Sequence, residues 1–180
     1  GPATHIASFL RAVLADIELA RRVLATKPGA GLPRIGTVFF GGGTPTLLPT
    51  AHLATILRRL DSVFGLAPGA EVSTEANPES VDSNSLAALV DAGFTRISLG
   101  MQSAVPHVLA ALDRRHTPGL AVAAAAQARP AGVAHAHVDL ISGPPTHAVT
   151  DWTGSVQARV RATAGPPRRP DLIRAPGSPP

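Results

Sequence analysis

The chain of 180 residues contains no cysteine. Disulfides, a thiol nucleophile and any thiolate-ligated metal supplied by this chain are therefore excluded. It also has no tyrosine, one tryptophan and five phenylalanines. That is too little aromatic surface for the interleaved basic and aromatic platform on which nucleic-acid bases stack. The sequence holds no uninterrupted apolar run of roughly eighteen residues, so no membrane-spanning helix is expected. The opening Gly1-Pro2-Ala3-Thr4-His5 has neither an initiator methionine nor the charged-then-apolar pattern of a secretory signal, and the expectation is an internal piece of a cytoplasmic protein.

The net charge of +4 is similarly uninformative about partners, because it is not spread over the chain. Arg161, Arg168, Arg169 and Arg174 against Asp171 place three of those charges in residues 161–180, and the body is close to neutral. This argues against nucleic-acid binding. A 44% apolar composition is ordinary for a globular domain with a core. The tail 161–180 is rich in proline and arginine, lacks periodicity and is expected to be disordered, a composition that also suits a GC-rich gene read out of frame. Residues 1–160 are expected to form the folded domain.

The most informative stretch is Thr37-Val38-Phe39-Phe40-Gly41-Gly42-Gly43-Thr44-Pro45-Thr46. A β-branched and aromatic run fits a buried strand, and three glycines let the backbone turn or lie against a ligand. Thr44 is placed to cap the next element, with Pro45 preset for a first helical turn. No Gly-Lys-Ser/Thr comes after it, so this is not a P-loop, and the glycine spacing is not that of a dinucleotide fingerprint.

Around it, apolar residues at helical spacing predict helices over about 6–24, 51–64, 83–92, 105–112, 119–129 and 150–160. Strands are expected at 35–40, 70–76, 94–100 and 135–141, with Ala67-Pro68-Gly69 as a turn. The alternation βαβαβαβ predicts a parallel α/β sheet, either open and doubly wound or curved into a barrel. Polar residues gather at the carboxyl ends of all four strands: the glycine loop, Glu75, Gln102 and Asp139. Parallel-sheet proteins keep their sites there.

Glu75 and Asp139 are carboxylates in apolar surroundings. They either pair with Arg96 or Arg114 as structural ions or accept hydrogen bonds from ligand hydroxyls or an ammonium. Gln102 adds an amide that both donates and accepts. His135, His137 and Asp139 share one strand face and resemble a divalent-metal arrangement, which requires help from another strand. His52, His107, His116 and His147 read as surface or capping residues.

Five motifs occur in order: Gly41-Gly42-Gly43-Thr44-Pro45, Thr74-Glu75-Ala76-Asn77-Pro78-Glu79-Ser80, Ser98-Leu99-Gly100-Met101-Gln102-Ser103, Arg114-Arg115-His116-Thr117 and Val138-Asp139-Leu140-Ile141-Ser142-Gly143-Pro144-Pro145. Together they resemble radical S-adenosylmethionine (radical SAM) proteins of the oxygen-independent coproporphyrinogen III oxidase group, and the second and fourth are more similar to its heme-chaperone (HemW-like) branch.

The resemblance implies a partial parallel (β/α) barrel with about four strands present and the first and last missing. It also implies binding of S-adenosylmethionine, a [4Fe–4S] cluster and heme or porphyrin, with heme-acceptor proteins as partners. Carried over by motif, Gly42, Gly43 and Thr44 match the loop at the methionyl amine and carboxylate, while Glu75, Gln102, Arg114 and Asp139 match the remaining cofactor contacts. The family's Cys-x3-Cys-x2-Cys is absent here, Ser142 stands where Tyr is usual, and Pro144 stands where Leu is common. Competing expectations are the oxidase itself, which converts two propionates to vinyl groups, a metal-dependent hydrolase built on His135, His137 and Asp139, and an inactive remnant.

Overall fold

In a computed structural model the described residues are 2–26, 31–114, 117, 119–144, 147–162 and 173–174. Six α-helices are present among them: α1 (Pro2–Ala25), α2 (Thr50–Phe64), α3 (Ser83–Asp91), α4 (Pro106–Ala111), α5 (Leu120–Ala128) and α6 (Val149–Ala162). Four long strands, β1 (Ile35–Phe40), β2 (Leu66–Ala76), β3 (Arg96–Gln102) and β4 (His135–Ser142), are followed by the two-residue β5 (Ile173–Arg174). They form one sheet in the order β1-β2-β3-β4-β5 with every pairing parallel. The expected strand-and-helix alternation and parallel sheet are borne out. Of the tail, Arg161 and Ala162 continue α6 and residues 173–174 form β5, whereas the rest lies outside the described residues.

Local chemistry accounts for the element ends. Asp82 accepts from the Ser85 amide at 2.7 Å and the Ser85 hydroxyl accepts from the Asp82 amide at 2.8 Å, a reciprocal cap that starts α3. Gly93, with φ of 101°, lets the chain leave that helix in a conformation that carries a steric penalty for other residues. The expected Ala67-Pro68-Gly69 turn is instead absorbed into β2. Ile35 pairs with Leu66 and Thr37 with Glu71, so two steps along β1 face five along β2. The surplus forms a bulge, the position in which a sheet tolerates a proline that cannot donate to the ladder.

Parallel strands alternate their side chains, and here the alternation separates two kinds of surface. Val38, Val72, Ala76, Ile97, Leu99, Met101, Val138 and Leu140 are buried together with Leu53 and Leu57 of α2, Leu86 and Leu89 of α3, the alanines of α5 and Ala158 of α6. Alanines along α5 let that helix sit close to the sheet. The other face carries Glu71, Ser73, Glu75, Arg96, Ser98, Gly100, His137 and Asp139, of which only Ser73 is buried.

Candidate functional site

The four strand tips lie on one edge of the sheet, and short contacts tie their polar residues together. After Phe40 the backbone turns at Gly42, whose φ is 121°. The Gly42 amide donates to Glu75 Oε2 at 3.1 Å. A carboxylate is thereby fixed against the glycine loop while its other oxygen stays available. Glu75 is paired in register with Ser98, and Gly100 with Asp139. The Ser98 hydroxyl donates to Asp139 Oδ2 at 2.6 Å. Sequence reasoning misses this contact. The period of two places Ser98 on the right face, but the diagonal reach to Asp139 depends on strand register.

Gln102 has a φ of 59°, a left-handed conformation unusual for a residue with a side chain. A β-carbon added at Gly100 would stand 2.5 Å from Gln102 Nε2. The Gln102 carboxamide therefore folds back into the space above Gly100, on the face that carries Ser98 and Asp139. Backbone strain of this kind costs on the order of 1–3 kcal/mol and tends to collect at functional sites. The two-residue step on β3 that faces one on β4 between Gly100 and Gln102 is the local irregularity that permits it.

Not every expected residue joins this group. Thr44 precedes a one-turn 3-10 helix, Pro45–Leu47, but makes no side-chain cap; its hydroxyl donates to the Gly43 carbonyl at 2.8 Å instead. Arg114 comes after α4 as an exposed residue held by its backbone, its amide donating to the Leu109 carbonyl at 2.9 Å. No described contact links its side chain to Glu75, Gln102 or Asp139. Arg115, His116, Pro145 and Thr146 lie outside the described residues.

The structural ion pair expected as one alternative for Glu75 or Asp139 forms elsewhere. Arg96 pairs with Glu71 at 2.7 Å and also touches His137. Its guanidinium is two positions nearer the strand's start than Ser98, so it reaches Glu71 below the site rather than Glu75 within it. The same contact bears on the metal expectation. A cation beside His137 disfavours a second one, and burial followed by Arg96 holds the imidazole below its ordinary pKa. No group of three His, Asp, Glu or Cys suited to a metal exists among the described residues. His135, His137 and Asp139 therefore share a strand face without forming a ligand set. His107 binds Asp151 at 3.1 Å, tying α4 to α6, in keeping with a surface role.

Beside this edge, α1, β1 and α2 enclose a groove of about 570 Å³ with Ile6, Phe9, Phe40, Leu48, Leu53 and Ile56 among its walls. No described helix is long and apolar enough to cross a membrane.

Residues 14–155 match the family description "Radical SAM superfamily". A curated heme chaperone HemW of Mycobacterium tuberculosis (strain ATCC 25618 / H37Rv) is 50% identical over 154 residues, which is 86% of this chain and 38% of that protein. An oxygen-independent coproporphyrinogen III oxidase of Paracoccus denitrificans (strain Pd 1222) is 31% identical over 140 residues, covering 78% of this chain and 30% of that protein. This chain thus spans well under half the length of these relatives. Among solved structures, coproporphyrinogen III oxidase (HemN) from Escherichia coli superposes with a TM-score of 0.75 at 24% identity, over 94% of this chain and 37% of that one.

Proposed function

Because this chain belongs to the radical SAM superfamily, we propose that its strand tips bind S-adenosylmethionine as part of a heme-chaperone-like protein in the cytoplasm, with heme or porphyrin and heme-acceptor proteins as partners. One observation carries the reading: the Glu75 carboxylate is held at the glycine loop by the Gly42 amide, beside the Ser98–Asp139 pair and Gln102. A carboxylate on an exposed loop backbone is the complement of an α-amino acid, whose ammonium it accepts while loop amides face the carboxylate. Asp139, with one oxygen taken by Ser98, keeps the other for a ribose hydroxyl, and the Gln102 amide serves either end. Gly43, Thr44 and Arg114 enter this reading through the motif alone.

The nucleoside fits these residues, but an iron–sulfur cluster does not. Such clusters are held by thiolates, and the chain has none. Any cluster chemistry belongs to residues outside this sequence. The chaperone-type reading is preferred to the oxidase because the heme chaperone relative is 50% identical and the oxidase relative 31%.

Calorimetric titration tests the site. S-Adenosylmethionine is expected to bind saturably at one equivalent, and Glu75→Gln, which preserves a carbonyl for Gly42 but removes the charge, is expected to weaken it at least tenfold. Equal binding by both proteins would overturn the assignment, as would no saturable binding by the wild type. A Soret shift on hemin addition, without decarboxylation of coproporphyrinogen III, is the outcome expected for a chaperone.

A further inference from the structure

Phe39 makes none of the strand-tip contacts described above, although it borders the groove beside α1 and α2, and its position is unusual. It is 64% exposed, on a strand whose neighbour Val38 is 8% exposed. Its side chain is on the polar face, because Phe39 pairs with Ser73 while Val38 and Val72 point to the core. The ring does not lie idle against solvent. A β-carbon built on Gly41 would sit 2.9 Å from Phe39 Cζ. The ring therefore leans along the strand toward the carboxyl edge and covers the first loop glycine, which is why position 41 tolerates no side chain while the ring is there.

Since Phe40 pairs with Thr74, Gly41 runs alongside Glu75. The ring, which leans over Gly41, and the Glu75 carboxylate, which accepts from the Gly42 amide, thus both border the start of the glycine loop. An exposed ring beside an anion is a cation site of a particular kind. The carboxylate takes a cation that donates hydrogen bonds, and the ring takes one that cannot.

Resting on the reading above, we infer that Phe39 is a specificity-determining residue: its ring receives the sulfonium of S-adenosylmethionine while Glu75 holds the ammonium. Three carbons separate those two cationic centres, a span that suits the strand-to-strand spacing. A methylated sulfonium has no N–H or O–H to donate, so an aromatic π-face is the protein group best able to stabilise it without a second charge. The neutral thioether of S-adenosylhomocysteine keeps the amino-acid and nucleoside parts of the ligand but has neither the S-methyl nor the charge, and so lacks this attraction.

The test compares dissociation constants of S-adenosylmethionine and S-adenosylhomocysteine for the wild type, Phe39→Leu and Phe39→Trp. The leucine variant keeps an apolar side chain at an exposed position, and circular dichroism should show it folded. It is expected to bind S-adenosylmethionine about three- to tenfold more weakly, with S-adenosylhomocysteine unchanged, while tryptophan preserves or strengthens the preference. Equal loss for both ligands would show an apolar wall only and overturn the inference, as would no loss for either. If the wild type binds neither nucleoside, the underlying site assignment fails and this inference falls with it; if the wild type binds and leucine leaves the ratio intact, the inference alone fails.

Discussion

Replacing Gly100 by alanine separates the site from the fold that carries it. Gly100 does not adopt a positive φ, so alanine meets no backbone penalty there. Its β-carbon would stand 2.5 Å from Gln102 Nε2, and an ordinary contact begins near 3.5 Å, so the carboxamide must retreat by roughly 1 Å. The atom in the way is the end of a side chain, which moves by torsion. Holding one torsion about 30° from its minimum costs about 0.5–1.5 kcal/mol. Against this, a Gly-to-Ala change restricts the unfolded chain and stabilises by about 0.4–1 kcal/mol.

The net stability change of Gly100→Ala is therefore expected to stay within about 1 kcal/mol of zero. The displaced amide is another matter, since shifts of about 1 Å in positioned groups can cost as much as a hundredfold in function. Urea unfolding followed by the fluorescence of Trp152, the single tryptophan, measures the first quantity, and titration with S-adenosylmethionine measures the second. A destabilisation above about 2 kcal/mol with unchanged affinity would refute the reasoning, because the new methyl would then be striking the framework rather than Gln102.

Two further measurements probe the framework. Leu99 is completely buried in the core, and Leu99→Ala is expected to cost about 2–5 kcal/mol in the same unfolding assay; a loss below about 1 kcal/mol would mean that the sheet and helices are not packed as described. His137 gives a pH dependence, because its native pKa is lowered by burial first and Arg96 second. Between that lowered value and the ordinary one near 6.5 the unfolded chain binds more protons than the native one, so this histidine's contribution is fully present above the ordinary value. It is lost as pH falls through the window and then levels off. His137→Gln should show a smaller drop in urea midpoint between pH 7.5 and pH 5.5 than the wild type, and equal drops would contradict the described environment of the ring.

Much of this architecture is legible in the residues. Alternation in Arg96–Gln102 and helical spacing in Thr50–Phe64 place both elements to within two residues. Glycines after Phe40 and polar residues near each strand's end fall on one edge of the sheet, as the alternation implies. What escapes is whatever depends on register. Ser98 meets Asp139, and Arg96 meets Glu71 rather than a carboxylate of the site, because partners one strand apart are set by pairing that no single segment encodes. The bulge that absorbs Pro68 and Gly69 is hidden for the same reason, since a turn and a bulge use the same residues. In the sequence Phe39 reads as one more apolar residue of a buried strand, although the period of two already assigns it and Val38 to opposite faces.

The zigzag of β3 has a bearing on how such a protein can change. Ile97, Leu99 and Met101 are buried in the core, whereas Ser98, Gly100 and Gln102 alternate with them on the less buried face. If the proposed site is right, successive codons along a single strand fall under separate selective pressures, one for persistence and one for recognition. A lineage can retune its ligand by altering every other letter while the intervening letters keep the scaffold intact.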